Sequence, residues 1–520
     1  MTAAEFAGTT ILNARRRAAE LSALADDPRV DVLVIGGGVT GVGVALDAAS
    51  RGLRTVLVES RDLAFGTSRW SSKLVHGGLR YLASGRVGVA RESAVERGVL
   101  MTRTAPHLIR PLPQLVPLLP TLGRGQAALV RSGFLAGDAL RLSAGTPSSL
   151  LPPARRVNAA AARNLTPAVR LAGLRGALVA HDGQLVDDAR LVTAIARTAA
   201  QHGAGILTRV RADQVSGDSA RLTDALTGES FTVTARSVIN ATGVWAGDID
   251  TSIKLRPSRG THLVIDAAVL GGPRAALMAP VPGSVSRYVF ALPQQLGRVV
   301  VGLTDEDAPG PVPDVPVPTD GEISFLLSTI NTVLERSLTR SDVLGAFAGL
   351  RPLIDTGDGA TADLSRRHAV RESGSGVITI VGGKLTTYRA MAEDAVDTAV
   401  RARDLSAAPC RTRDIPLVGA PRHPESRALP GALVTVPAAL VARHGGQAAE
   451  VLASSRCGTP LRQIAEGIDV TRAEVEYTLT HEGALDAADV LDRRTRIGLV
   501  PADAERARPG VEEIVAGQRR

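Results

Sequence analysis

The chain has 520 residues, of which 44% are hydrophobic and 22% charged, and its formal net charge is +8. This length exceeds what one core usually organises, so we expect two or three globular domains. Its two cysteines, Cys410 and Cys457, exclude a disulfide framework and fit a reducing cytoplasm. We expect no bound metal, no N-terminal signal peptide and, without a run of about 18 apolar residues, no transmembrane helix.

Residues 31–41, DVLVIGGGVTG, predict a buried strand, a tight turn and the start of a helix. The strand spans 31–35, the helix runs to about Ser50, and a second strand from Thr55 ends in Glu59. The spacing fits the dinucleotide fingerprint, in which glycines admit the turn, the pyrophosphate and close helix packing. The fingerprint glycines are Gly36, Gly38 and Gly41. Because an acid at Glu59 suits ribose hydroxyls and disfavours a 2′-phosphate, we expect FAD or NAD before NADP.

The stretch 64–82 is dense in hydroxyl, glycine and cationic side chains, which makes it a poor core helix and a good cofactor lining. Hydroxyls and a lysine can bind phosphate, although an ordinary loop is the plainer alternative. Lysine is rare here, since Lys73, Lys254 and Lys384 are the only three among 60 basic side chains. Two of these lie in glycine-rich motifs, which indicates a task that arginine cannot perform.

Residues 106–122 contain too many prolines for a long helix. Together with the following segment to Leu142, they carry leucines flanked by arginines. This composition can rest on a membrane surface, and internal packing is an equally good explanation. Residues 1–29 predict a helical arm, and the net charge fits either an anionic partner or a solvated arginine-rich surface.

Further along the chain, residues 177–192 predict a strand, a turn at Asp182-Gly183 and a helix near Asp187. Residues 237–243, SVINATG, predict a late strand. In flavoproteins built on the same fingerprint such a strand returns beside the first strand and touches the dinucleotide, and the resemblance implies the same here. Residues 255–310 predict a second, mostly antiparallel sheet that carries His262.

The last motif begins with a strand at 377–381, which runs into Gly382-Gly383-Lys384 and a helix. The N-terminus of that helix can place its positive dipole near an anionic flavin oxygen. Residues 404–432 predict a linker, and 433–520 are helical by pattern.

Taken together, the motifs resemble those of the FAD-dependent glycerol-3-phosphate dehydrogenases. The matching stretches are VLVIGGGVTGVGVALDAASRGL, GTSRWSSKLVHGGLRYL, HDGQLVDDARL, NATGVWA, AGLRPL, VGGKLTTYR and EVEYTLTHEGALDAADVLDRRTRIGL. HGGLRYL and GGKLTTYR in this order are specific, whereas GxGxxG alone is not. The resemblance implies a glutathione-reductase-like FAD-binding Rossmann domain, a D-amino-acid-oxidase-like α+β substrate domain and a C-terminal helical domain.

Under this resemblance, we divide the chain into an N-terminal arm and three domains. The FAD-binding domain is discontinuous, and the linker separates it from the last domain. The expected ranges are 1–29 for the arm, 30–110, 177–250 and 340–403 for the FAD-binding domain, 111–176 and 251–339 for the substrate domain, 404–432 for the linker and 433–520 for the C-terminal domain.

The resemblance implies oxidation of sn-glycerol 3-phosphate to dihydroxyacetone phosphate by hydride transfer to a non-covalently held FAD, which passes the electrons to membrane quinone. The implied cofactor contacts are Gly36, Gly38, Gly41, Glu59, Thr67, Ser68, Ser71, Lys73, Gly243, Gly383 and Leu385. The implied substrate residues are Arg80, Tyr81, His262, Arg351, Arg366 and Lys384. We assign phosphate binding to Arg80, Tyr81 and Arg366, since arginine forks suit a phosphate dianion.

The reacting hydroxyl must lose a proton, and arginine is a poor base because it stays protonated. We therefore favour His262 as the base and keep Lys384 as the second candidate, while Arg351 orients the hydroxyl and stabilises negative charge on its oxygen. Structural roles remain open for these residues: His262 can be an ordinary strand histidine, and Arg351 and Arg366 can be surface ion pairs.

Leu303 departs from the family, which often has a threonine there. The absence of a long insertion between 351 and 377 favours a dehydrogenase over the related oxidases, which make hydrogen peroxide. A basic FAD protein acting on nucleic acid and a non-catalytic flavin-binding partner are weaker alternatives. The expected partners are therefore sn-glycerol 3-phosphate, membrane quinone and an anionic membrane surface, with no nucleic acid. We expect a cytoplasmic protein, peripheral on the inner face of the cell membrane, and leave a homodimer open.

Overall fold

Two β-sheets organise the chain, and a computed structural model describes residues 3–78, 86–284, 287–355, 367–421 and 436–518. The strands are β1 Arg29–Ile35, β2 Thr55–Glu59, β3 Leu74–Val75, β4 Ile109–Pro117, β5 Arg155–Val157, β6 Ala177–Leu185, β7 Gly205–Thr208, β8 Val210–Asp213, β9 Ser219–Asp224, β10 Ser230–Asn240, β11 Ser258–Asp266, β12 Ala276–Pro280, β13 Tyr288–Pro293, β14 Arg298–Gly302, β15 Glu306–Asp307, β16 Val343–Arg351, β17 Ala369–Glu372 and β18 Ile378–Val381.

The helices cover both faces of the first sheet and build the C-terminal region. They are α1 Ala14–Asp26, α2 Val39–Ser50, α3 Val87–Val99, α4 Arg124–Ser143, α5 Ala159–Leu165, α6 Asp188–Gln201, α7 Ala246–Ile249, α8 Asp320–Asn331, α9 Tyr388–Arg403, α10 Ala438–His444, α11 Ala448–Ala453, α12 Arg472–His481, α13 Ala487–Asp489 and α14 Pro501–Gln518. None of them combines the length and the hydropathy needed to cross a bilayer.

The first sheet has the strand order β17-β18-β10-β1-β2-β7, and its strands from β18 to β7 run parallel. Val32, Leu33 and Val34 of β1 are fully buried, because α2, α6 and α9 cover one face of the sheet and α1 with the β8–β9 hairpin covers the other. On one face, α2 packs between α6 and α9. Gly43 of α2 makes this possible, since a Cβ there would lie 2.9 Å from the ring of Tyr388. The predicted return of the late strand beside the first is confirmed, because β10 pairs with β1 in parallel.

The second sheet has the order β15-β11-β14-β13-β12-β4-β6-β3 and is mostly antiparallel, as predicted for the region around His262. Strand β16 pairs with β11, and α8 packs against one face of the sheet. The proline-rich segment is not a helix, and it supplies β4. This strand tolerates its prolines because its pairing with β12 is limited to Gln114 and Leu115.

The turn predicted at Asp182-Gly183 is wrong, because β6 continues through both residues to Leu185. The glycine serves close strand packing instead, since a Cβ at Gly183 would lie 2.9 Å from the carbonyl oxygen of Val75. Strands β6 and β16 belong to the second sheet, which differs from the predicted division that gave both segments to the FAD-binding domain. The chain therefore crosses between the two sheets more often than the predicted ranges imply.

The N-terminal arm is docked, since Arg17 of α1 is buried and lies 2.5 Å from a carboxylate oxygen of Asp224. The C-terminal helices enclose two further apolar clusters, one around Ile464 and Val511 and one around Leu440 and Tyr477. A helical C-terminal region is thus confirmed.

Candidate active site

A cavity of about 1450 Å³ extends from the glycine turn after β1 to the second sheet. It is lined by the turn, by the segment 65–72, by residues around Gly243, and by the ends of β11 and β16. Since ligands in parallel α/β sheets bind beyond the carboxyl ends of the strands, this placement suits a nucleotide that reaches across to the second sheet.

The glycine turn is shaped for close approach of a ligand. Gly36 has φ +113, and a Cβ there would lie 2.7 Å from the carbonyl oxygen of Ala241. A Cβ at Gly41 would lie 1.8 Å from the carbonyl oxygen of Gly36, so only glycine lets α2 start this close to β1. Gly38 precedes α2 without a side-chain cap, and its backbone lines the cavity. These features fit a dinucleotide pyrophosphate on the helix N-terminus.

Glu59 ends β2 beside this turn and lines the cavity. Its Oε2 accepts a hydrogen bond from the Gly37 amide at 2.7 Å, and its Oε1 accepts one from the Arg61 amide at 2.7 Å. Burial raises the pKa of Glu59, and the two amide donors oppose that effect. The amides fix the carboxylate in position while lone pairs remain for a ribose hydroxyl.

The hydroxyl-rich stretch lies against the glycine turn. Ser68 Oγ accepts a hydrogen bond from the Val39 amide at 2.9 Å, and Thr67 Oγ1 donates to the Leu350 carbonyl at 2.6 Å. Ser71 Oγ donates to Asp188 Oδ2 at 2.8 Å. All three of these hydroxyl residues line the cavity. This stretch therefore joins α2, α6 and β16 around one wall.

Lys73 occupies a different position from its neighbours. It has φ +55, its side chain is buried, and its Nζ lies 3.4 Å from Asp188 Oδ2. Its ammonium neutralises a buried carboxylate and does not line the cavity. A cofactor contact of Lys73 stays a prediction.

His262 lies on β11 and faces the cavity. Its Nε2 is 2.8 Å from Ser72 Oγ, and its ring stacks on Phe347 with centroids 4.8 Å apart. Nδ1 is buried and has no hydrogen-bond partner among the described residues. Burial lowers the pKa of His262 to about 3, and the charges of Lys73 and Arg351 add to the effect. The imidazole is therefore neutral near pH 7 and able to take up a proton.

Arg351 ends β16 opposite Ser258 of β11. Its Nη1 donates to Ser258 Oγ and to Asp305 Oδ1, both at 3.1 Å, and its Nη2 donates to the Thr304 carbonyl at 3.1 Å. These contacts hold the guanidinium in one orientation at the cavity wall.

The second glycine motif supplies Lys384, whose Nζ donates to Ser93 Oγ of α3 at 2.7 Å. Gly382 and Gly383 before it have φ +78 and +71, which sharpen the turn after β18. Gly383, Lys384 and Leu385 line the cavity together with Gly243, which has φ +62 in the turn after β10. Two motifs that are far apart in the sequence thus meet at one site.

Comparison with known proteins agrees with this geometry. Residues 31–389 match the family described as FAD dependent oxidoreductase, and residues 410–519 match the C-terminal domain of alpha-glycerophosphate oxidase. The chain is 62% identical to glycerol-3-phosphate dehydrogenase 1 of Mycobacterium tuberculosis over 509 residues, which cover 97% of this chain and 98% of that protein. The chain belongs to the FAD-dependent glycerol-3-phosphate dehydrogenase family.

A second relative and a solved structure are also similar to this chain. Glycerol-3-phosphate dehydrogenase 2 of Mycobacterium tuberculosis is 38% identical over 493 residues, covering 90% of this chain and 81% of that protein. A crystal structure of the glycerol-3-phosphate dehydrogenase from Bacillus halodurans complexed with FAD superposes with a TM-score of 0.73 at 27% identity, covering 97% of this chain and 94% of that one. The predicted resemblance and fold class are confirmed, and FAD is the cofactor of this family member.

Three predicted phosphate contacts lie outside the described residues: Arg80 and Tyr81 in 79–85, and Arg366 in 356–366. The structure brings the other predicted site residues to one cavity, except that Lys73 turns away and Gly41 packs behind the turn.

Several lining residues were missed from the sequence. Ser72 belongs to the hydroxyl-rich stretch, and only its contact with His262 distinguishes it from Ser71. Leu303 lines the cavity at the position where the family often has threonine. Val130 and Phe134 of α4 also reach the cavity, and nothing local in the sequence indicates this.

Proposed function

We propose that this family member oxidises sn-glycerol 3-phosphate to dihydroxyacetone phosphate and passes the electrons to a membrane quinone. The observation that carries the proposal is that a neutral imidazole and a fixed guanidinium, His262 and Arg351, line the same cavity as the glycine turn. FAD bound along that turn supplies the acceptor for a hydride from the carbinol carbon of the substrate.

His262 takes the proton that the C2 hydroxyl loses as the hydride leaves. Burial and two neighbouring cations keep it unprotonated before the substrate binds. A phosphate dianion nearby opposes the charges of Lys73 and Arg351, so the proton affinity of His262 rises on substrate binding. Ser72, at 2.8 Å, fixes the ring orientation through Nε2. Lys384 is the second candidate base, in its neutral amine form, and its hydrogen bond to Ser93 fixes Nζ at the cavity wall.

Arg351 orients the reacting hydroxyl and stabilises negative charge on its oxygen. Its contacts with Asp305, Ser258 and the Thr304 carbonyl fix the fork before substrate arrives, so little reorganisation accompanies the reaction. Phosphate binding is assigned to Arg80, Tyr81 and Arg366 on the family resemblance, since arginine forks suit a phosphate dianion.

One arm of the cavity supports an apolar electron acceptor. It is lined by side chains of α4, β12 and β13, which are Val130, Phe134, Met278, Tyr288 and Phe290. A quinone ring suits such a lining, whereas a hydrophilic carrier does not.

The outer face of α4 supports docking at a membrane surface. Leu135 and Leu142 are 54% and 66% exposed, and the arginines Arg124 and Arg131 are exposed on the same face of the helix. Apolar side chains with cations beside them suit the surface of an anionic bilayer. Docking there brings the apolar arm to the lipid phase and places the protein on the inner face of the cell membrane.

A turnover assay tests this function and its main alternative. Purified holoenzyme is mixed with sn-glycerol 3-phosphate in air, with and without a short-chain quinone, while dihydroxyacetone phosphate and hydrogen peroxide are quantified. The proposal predicts quinone-dependent product formation with little peroxide, and no product from glycerol or from the opposite enantiomer. Equal turnover without quinone, with one peroxide per product, would identify an oxidase, and no product under either condition would contradict the substrate assignment.

A further inference from the structure

The C-terminal domain inserts arginines into the nucleotide-binding part of the molecule. Arg493 and Arg494 follow α13 and clasp Asp62, with Arg493 Nε 2.7 Å from Oδ2 and Arg494 Nη2 2.9 Å from Oδ1. All three residues are buried. Asp62 lies three residues after β2, in the chain that leads to the cavity wall. These ion pairs neutralise the buried carboxylate of Asp62 and connect the two parts of the molecule.

Arg496, two residues further on, contacts Trp70 of the cavity wall but does not itself line the cavity. It is 3% exposed and has φ +64, and its Cζ lies 5.6 Å from the ring centre of Trp70. Its Nε is 3.1 Å from Asp187 Oδ2, and its Nη2 is 3.7 Å from Asp188 Oδ1. Nη2 also donates a short hydrogen bond to the carbonyl of Arg69. One guanidinium therefore joins the start of α6 to the segment 69–73.

Asp188 passes this restraint to the residues that line the cavity. Its Oδ2 accepts hydrogen bonds from the amide and the hydroxyl of Ser71 at 2.9 and 2.8 Å, and Lys73 Nζ lies 3.4 Å away. Burial acts to raise the pKa of Asp188, but Lys73, Arg496 and Ser71 together hold it below its usual value. Ser72, between these two anchored residues, places its hydroxyl on His262 Nε2.

We propose that Arg496 is a positioning residue of the flavin site, which holds the segment 69–73 in place through Asp188 and the Arg69 carbonyl. The role of Ser72 on His262 rests on the proposed function, whereas the restraint on the cavity wall does not. Without Arg496, two adjacent carboxylates, Asp187 and Asp188, would face Lys73 alone. The segment would then relax, because the Arg69 carbonyl would lose its donor and Asp188 would lose one of its two cationic partners. The C-terminal domain is thus part of the cofactor site and not an appendage to it.

The test compares Arg496→Gln and Arg496→Lys with Arg443→Gln as the matched control. Arg443 is also a buried arginine of the C-terminal domain, but it pairs with Glu474 at 2.5 Å and does not touch the cavity wall. For each holoenzyme we would measure the thermal midpoint, the rate of FAD release on dilution and the visible circular dichroism of the bound flavin. None of these readouts requires substrate, so their outcome is independent of the substrate assignment.

Arg496→Gln is expected to speed FAD release about tenfold and to change the visible circular dichroism, as expected when a partner of cofactor-contacting residues is lost. Arg496→Lys should recover part of both effects, because it keeps the charge. Arg443→Gln should lower the thermal midpoint while leaving both flavin readouts as in the wild type. Wild-type flavin readouts in Arg496→Gln, or equal changes in Arg443→Gln, would overturn the proposal.

A second variant keeps the proposal testable if Arg496→Gln does not fold. Ser71→Ala cuts the same restraint at the other side of Asp188 without altering the C-terminal domain. Ser71→Ala should shift the visible circular dichroism in the same direction as Arg496→Lys. The double variant that combines Ser71→Ala with Arg496→Lys should show a smaller shift than the sum of the two single shifts. Additive effects would contradict a shared restraint through Asp188.

Discussion

The hydroxyl of Ser72 lies 2.8 Å from Nε2 of His262, although the two residues are 190 positions apart in the chain. This contact joins the wall of the nucleotide site to the second sheet. It also fixes the candidate base at the lining of the cavity. The chemistry of the site therefore depends on how the two sheets meet.

Replacing the candidate base tests this assignment. His262→Gln keeps a polar side chain near Ser72 but cannot take up a proton, so substrate-dependent flavin reduction should slow by about 100- to 10,000-fold. FAD should remain bound. The measurement is anaerobic stopped-flow absorbance, with His202→Gln as the control, since His202 lies at the end of α6 and outside the cavity. A loss below threefold in His262→Gln would shift the role of base to Lys384.

Arg351 offers a separate test of charge stabilisation. Arg351→Lys keeps the positive charge but cannot reproduce the three contacts of the guanidinium, so flavin reduction should slow by about 100-fold. The exposed Arg340, which pairs with Asp320 at 2.6 Å, supplies the control Arg340→Lys. Saturating substrate should not restore the rate of Arg351→Lys. A defect confined to KM would instead make Arg351 a simple binding residue.

If α4 docks on the membrane, a charge on its exposed face should weaken docking and leave flavin reduction unchanged. Leu135→Glu places a charge among the exposed leucines, so binding to anionic vesicles should weaken about tenfold. Turnover with membrane quinone should fall with it, while anaerobic flavin reduction stays at the wild-type rate. Leu226→Glu is the control, because Leu226 is 58% exposed in the turn between β9 and β10. Equal vesicle binding by both variants would contradict docking through α4.

Stability should depend on pH through a histidine outside the cavity. Burial lowers the pKa of His107 from 6.5 to about 3. Between these two values the unfolded chain binds a proton that the folded chain does not, so the stability that the neutral ring contributes is lost as pH falls below 6.5. The loss approaches about 1.4 kcal/mol per pH unit for this residue.

The corresponding experiment compares the free energy of unfolding of His107→Gln and wild type at pH 8 and pH 5 in urea. The difference at pH 8 measures the packing lost in the variant. The variant should then lose less stability between the two pH values than the wild type does. Parallel losses in the two proteins would show that His107 is not the group that couples folding to protons.

Local patterns were enough to predict the glycine turn and the acid that follows it. Gly36, Gly38 and Gly41 lie within six residues, and their roles follow from backbone geometry that short-range sequence determines. Glu59 follows from the same unit, because it ends the adjacent strand β2. The reaction half required the family resemblance, since His262, Arg351 and Lys384 come from separate elements that only the tertiary fold brings together.

The other differences between the sequence predictions and the structure come from packing between distant segments. Asp182-Gly183 has turn composition, but pairing with β3 draws it into a continuous strand. Lys73 looks like a phosphate ligand within its motif, whereas Asp188 from α6 provides a buried partner. Arg496 is one of many arginines in the sequence, and only its contacts with Asp187 and the Arg69 carbonyl single it out.

The measurement that tests the central claim most directly is a single anaerobic turnover of the purified holoenzyme, followed by flavin absorbance. sn-Glycerol 3-phosphate, its opposite enantiomer and substrate deuterated at C2 are compared. The account predicts rapid bleaching with the natural enantiomer alone, slowed by deuterium because the C2–H bond breaks in this step. A flavin-loaded protein that does not bleach with sn-glycerol 3-phosphate would contradict it and leave only the fold and the cofactor.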